Sequence, residues 1–107
     1  MRQIAKAFLL LAFVCQVGGV LAADSEAGRK LAQAKRCSDC HGAAGISGEG
    51  TSYPNLAGQK PAYLKQALLA YRDQARQHPL MTPMAQGLSD KDIENLAAYF
   101  ASLSACP

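Results

Sequence analysis

The chain is predicted to fold as one small all-α domain. Three segments carry apolar residues at helical spacing, and no stretch alternates convincingly enough to be a strand. In addition, Cys37-Ser38-Asp39-Cys40-His41 places two thiols and an imidazole in one short run. Thiols three positions apart can each add to a vinyl group of one haem, and the histidine that follows can coordinate its iron. The expected architecture is therefore three main helices and loops wrapped around one covalently bound haem c. A dithiol redox pair would need a β-α-β pattern beside it, and a zinc site a second ligand pair. Neither is present: the only later cysteine is Cys106 and the only other histidine is His78.

The first predicted helix runs over about 25–35, capped by Asp24 or Ser25, with Ala27, Leu31 and Ala34 on one face. Gly28 within it lowers helix propensity but permits close approach of a second helix. The second begins near Pro61, a residue suited to a first helical position, and carries Leu64, Ala67, Leu68, Tyr71 and Ala75, with Pro79 as its latest end. Ser89 caps the third, Asp92 stands in its third position, and Ile93, Leu96, Ala97, Phe100 and Leu103 form its buried stripe. Between the first two lies a loop over 42–60, rich in Gly, Ser and Ala. It ends in no Gly-Lys-Ser or Gly-Lys-Thr, so it is no phosphate loop, and it is expected to wrap a haem edge.

The N-terminus reads as a secretory signal peptide over 1–22. Arg2 and Lys6 make a charged start, an apolar stretch follows to Cys15, and Val20-Leu21-Ala22 offers a small-residue cleavage site. The apolar stretch before Gln16 and the Gly18-Gly19 pair is too short to span a bilayer, so no integral membrane segment is expected after cleavage. Cleavage would leave a single domain over 23–107, short enough that a cofactor bound at three points would help to hold it. It would also lower the formal charge from the +3 of the whole chain, because Arg2 and Lys6 depart. Two ionised propionates would bring the sum slightly below zero, which gives no argument for nucleic-acid binding. Lys35, Arg36, Lys60, Lys65, Arg72 and Arg76 read as a solvated helix face rather than a docking patch, and Asp90, Asp92 and Glu94 favour the start of the last helix.

The sixth ligand of the iron separates an electron carrier from a haem enzyme. A methionine thioether would raise the potential and close the site to substrates. Met81 and Met84 are the candidates, both in Met81-Thr82-Pro83-Met84, a stretch expected to be a Pro-bounded loop. A methionine can equally be a core filler. His78 would give bis-histidine ligation but, beside Pro79, is expected to face solvent.

Taken together, Cys37-Ser38-Asp39-Cys40-His41-Gly42, Pro54-Asn55-Leu56-Ala57-Gly58-Gln59, Tyr63-Leu64-Lys65-Gln66, Met81-Thr82-Pro83-Met84 and Leu88-Ser89-Asp90-Lys91-Asp92-Ile93 resemble a class I cytochrome c. The likeness is to one domain of bacterial cytochrome c4 or to a small cytochrome c553, over about 23–103. The resemblance implies that first and last helices cross closely, with Gly28 meeting Tyr99 and Phe100. It implies that Met81 rather than Met84 is the axial ligand, that the Pro54 carbonyl accepts the Nδ1 proton of His41, and that Leu56 packs on the haem. Cytochrome c4 has two haem domains in tandem, whereas this chain has a single Cys-x-x-Cys-His and no internal repeat.

The expected function is periplasmic one-electron transfer between redox protein partners, with no catalysis by this chain. Two other readings remain: a cytochrome subunit of a dehydrogenase complex, and an open-site haem enzyme or sensor. Cys106 would be the only thiol left after haem attachment, either idle in a monomer or forming a disulfide-linked dimer.

Overall fold

A computed structural model describes residues 22–106 and contains five helices there, with no strand among the described residues. They are α1 (Ser25–Ala34), α2 (Ser38–His41), α3 (Pro61–Arg72), α4 (Met81–Gln86) and α5 (Asp90–Ser102). The proposed signal peptide lies, apart from Ala22, outside the described residues, as do Arg2, Lys6 and Cys15. No helix among the described residues is long and apolar enough to cross a membrane.

Local chemistry sets the helix ends. The Asp24 side chain accepts from the Glu26 and Ala27 N–H groups at 2.9 and 3.1 Å, covering two donors that have no partner within α1. At the other end the chain reverses through Arg36 at φ 58°. The Cys37 N–H donates to Ala32 O and the Arg36 N–H to Gln33 O, which is a Schellman closure. That closure delivers Cys37 to the start of α2. Ser89 and Asp92 form the expected reciprocal capping box on α5.

The core is the interior face of α5, where Ile93, Leu96, Ala97 and Phe100 pack with Ala32 of α1, Leu64 of α3 and Leu88. α1 crosses α5 most closely at Gly28. A Cβ there would overlap the Asn95 carbonyl oxygen and come within 2.8 Å of the Tyr99 Cβ. Phe100 turns into the core beside Tyr99, ring centroids 4.9 Å apart. The Asn95 side chain accepts the Asp24 N–H at 2.9 Å, tying the start of α1 to α5 across 71 residues of sequence.

Three expectations need correction. The buried face of α1 centres on Gly28 and Ala32, with Ala27 and Leu31 at its margin and Ala34 exposed. A hydrophobic scan gives no weight to a glycine that lets two backbones touch. α3 ends at Arg72 and leaves Ala75 exposed beyond it, since the chain turns through Gln74 at φ 62°. Finally, Met81-Thr82-Pro83-Met84 is not a loop but the first turn of α4. Pro83 sits in that turn, where its missing N–H costs no helical hydrogen bond.

Candidate functional site

The cavity lies between α2, the loop at 52–56, α3, α4 and the lower half of α5, with a volume of about 330 Å³. Cys37, Cys40, His41, Pro54, Leu56 and Met81 all line it. Met84 lines it as well and is 40% exposed, while Met81 is the less exposed of the two.

The two thiols and the imidazole converge because α2 is a single helical turn. The His41 and Cys40 N–H groups donate to Cys37 O at 2.9 and 3.3 Å, so Cys37 and the two residues that follow in the motif rise around one turn. Gly42 ends that turn at φ 82°, where a Cβ would overlap the Ile46 carbonyl oxygen. A glycine is therefore required immediately after the histidine. Burial pushes the Cys37 thiol above its ordinary pKa, and it remains a neutral thiol at neutral pH.

His41 is one of the few buried polar residues, 7% exposed. Its Nδ1 donates to the Pro54 carbonyl oxygen at 2.9 Å. That assignment follows from chemistry, since a carbonyl can only accept, and it leaves Nε2 as the lone-pair nitrogen. The loop that carries Pro54 is itself stapled. The Ser47 hydroxyl donates to Tyr53 O at 2.6 Å, the Ser47 N–H to Asn55 Oδ1 at 2.8 Å, and the Leu56 and Ala57 N–H groups to Gly45 O. A Gly58 N–H bond to Phe100 O at 3.0 Å then docks the loop on α5.

These residues fit a covalently bound haem. Two thiols and a pre-oriented imidazole sit on one edge of a cavity walled by Leu56, Leu64, Leu68, Leu96 and Phe100. Lys35, Arg36 and Arg76 supply cations on the lining, the sign that ionised propionates require. Among the described residues no cluster of three or more His, Cys, Asp or Glu could hold a bare metal ion. Several basic residues expected to be a solvated face are paired: Lys65 with Glu94 at 3.2 Å, Arg72 with Asp90 at 2.6 Å, and Arg36 with Asp39 at 2.8 Å. Arg76 lies over the Tyr71 ring, 4.7 Å from its centroid. Sequence reasoning set Tyr71 on the apolar stripe of the second helix but missed the contributions of Arg76, Tyr53 and Tyr63 to the lining.

Comparison with known proteins agrees with this fit. The cytochrome c family model matches residues 25–104. Cytochrome c-554(548) of Halomonas halodenitrificans is 52% identical over 69 residues, covering 62% of this chain and 82% of the relative. A thiosulfate dehydrogenase electron acceptor of Thiomonas intermedia is 38% identical over 71 residues, covering 66% of this chain and 33% of the relative. The crystal structure of reduced recombinant cytochrome c4 from Pseudomonas stutzeri superposes with a TM-score of 0.68 at 30% identity, over 78% of this chain and 51% of that one. The chain thus spans only a third to a half of these last two proteins. A single Cys-x-x-Cys-His opening on one apolar cavity, within a family match that covers nearly all of the described residues, makes this chain a member of the cytochrome c family, an electron carrier with one covalent haem c.

Proposed function

We propose that the chain is a periplasmic one-electron carrier in which Cys37 and Cys40 hold haem c through thioethers and His41 and Met81 ligate its iron. The observation that supports this most directly is the buried His41, its Nδ1 bonded to Pro54, facing the same cavity as Met81. Bound there, the haem supplies a one-electron Fe(III)/Fe(II) couple. The Pro54 carbonyl holds the His41 ring in one tautomer and makes it the more electron-rich ligand. The Met81 thioether favours the ferrous state and keeps exogenous ligands out. Leu56, Leu64 and Phe100 exclude water, and the exposed rim serves brief docking of redox partners, whose interfaces are small. The charged and apolar segments of 1–22 support export, with cleavage after Ala22 or Ala23.

The test is an optical spectrum of the matured ferric protein, read for the weak far-red band of methionine sulfur on ferric haem. Loss of the band in Met81→Ala and its survival in Met84→Ala is the expected result. Absence of the band in wild type, with ready binding of carbon monoxide on reduction, would replace the carrier with an open-site enzyme or sensor.

A second reading is favoured by the likeness to a thiosulfate dehydrogenase electron acceptor: the chain would serve a dehydrogenase as its haem subunit or immediate acceptor. Co-purification of a dehydrogenase with the native protein would select it. Cys106 is exposed and a free thiol, and it would join two copies only if reductant abolishes a dimer seen in solution.

A further inference from the structure

The approach to Met81 is organised by one side chain. α4 has no capping bond from the residue that precedes it, Leu80. The Leu80 and Met81 N–H groups donate instead to the His78 Nδ1, at 3.1 and 3.4 Å. The Thr82 N–H donates to the His78 carbonyl oxygen at 3.1 Å, and the His78 N–H donates back to Thr82 Oγ1 at 2.9 Å. Pro83 has no N–H, and the Met84 N–H already reaches Leu80 O at 3.3 Å. Each backbone donor from Leu80 to Met84 is thus accounted for, three of the four by His78.

We propose that His78 is a positioning residue for the iron ligand Met81, holding α4 in the register that keeps the sulfur in the cavity. The inference rests on the reading of Met81 as the axial ligand. Accepting two N–H groups requires a bare Nδ1, so the proton sits on Nε2. That tautomer also explains why His78, although it lines the cavity, is not itself the sixth ligand. A histidine bound to iron through Nε2 carries its proton on Nδ1, where it would face two donors. A ring turned to bind through Nδ1 would strip both amides of their acceptor. Asparagine is the substitution that preserves the function, because its short side-chain oxygen caps a helix start as well as any residue does.

The experiment uses matured ferric holoprotein in four forms: wild type, Met81→Ala, His78→Ala and His78→Asn. Two readouts are taken, the methionine band and the rate at which added imidazole displaces the sixth ligand. Loss of a cap of this kind predicts that imidazole enters His78→Ala about five- to tenfold faster than wild type. His78→Asn returns the rate towards wild type, and the methionine band persists in both His78 variants. Equal rates in wild type and His78→Ala, with the band lost only in Met81→Ala, would overturn the positioning role and leave the ligand assignment standing. A band that survives in Met81→Ala would overturn both. A wild type that lacks the band and resists imidazole, while His78→Ala and His78→Asn both take imidazole up freely, would make His78 the ligand and sink the proposal from the other side.

Discussion

At the crossing of α1 and α5, backbone meets backbone; on the far side of α5, α3 and α4 stand back around a cavity. The crossing is closed by protein atoms alone: Gly28 against the Asn95 carbonyl, Asn95 Oδ1 on the Asp24 N–H, Ala32 in the core. The cavity wall is held by caps and staples, with its apolar side chains facing a space of about 330 Å³. The two regions share Leu96, Ala97 and Phe100, which serve both the core and the cavity lining. The difference teaches that an interface made by a glycine is complete when the helices meet, whereas one made of leucines around a void depends on what enters it.

The largest effect comes from emptying the cavity. In the double variant Cys37→Ser/Cys40→Ser no thioether can form. The remaining core is one face of α5 with a few partners, too little for a domain this small to fold without its staple. Far-ultraviolet circular dichroism is expected to lose most of its helical signal, and denatured gels to show no haem on the chain. Retained helix at α1 and α5 alone, read by amide exchange, would show that the crossing is self-sufficient and that the dependence runs one way only.

The crossing is broken without touching the cavity by Gly28→Val. The new side chain meets the Asn95 carbonyl and the Tyr99 Cβ, and neither is the far end of a flexible chain, so the helices must separate. Overpacking of this kind predicts a loss of about 3 kcal/mol in denaturant unfolding, with the methionine band of the surviving folded protein unchanged. A variant that shifts the band as well would mean that the crossing sets the position of the cavity wall. Asn95→Ala is a milder probe of the same contact. It leaves the Asp24 N–H without its partner at a half-buried position and is expected to cost about 1 kcal/mol.

How much of this was legible depended on whether a residue announces its role by its own chemistry. α5 was readable because Ser89, Asp92 and a stripe of large apolar residues all point to one element. The haem motif was readable because its spacing is the mechanism. Gly28 was readable as a point of close approach, but the apolar face of α1, drawn through Ala27, Leu31 and Ala34, was misplaced because a glycine has no side chain to mark the stripe it centres. The first turn of α4 was misread because Pro83 breaks a helix interior but is at home in a first turn, and nothing local says which applies. His78 was passed over for a related reason: an exposed histidine beside a proline looks idle until the backbone folds its two amides onto the ring.

The smallest expected effect lies on the solvent side of the crossing. Glu26 and Arg29 face each other one turn apart on α1, with Arg29 Nε donating to Glu26 Oε2 at 2.9 Å. That bond, more than any other influence, holds the Glu26 carboxyl below its ordinary pKa. A carboxylate whose folded pKa is depressed adds stability above its unfolded pKa, and that contribution is lost as the pH falls through the folded value. The start of α1, where the helix dipole favours negative charge, adds to the same trend. In Glu26→Gln the melting temperature should therefore fall slightly at neutral pH and converge on wild type in acid, and the gap should narrow in high salt because both groups are exposed. Substitution at Glu26 leaves the Asp24 cap and the Asn95 clasp in place. A gap that persists in acid would assign the effect to helix propensity, and a gap as large as that of Asn95→Ala would mean that an exposed charge pair within α1 stabilises the fold as much as the clasp that ties α1 to α5.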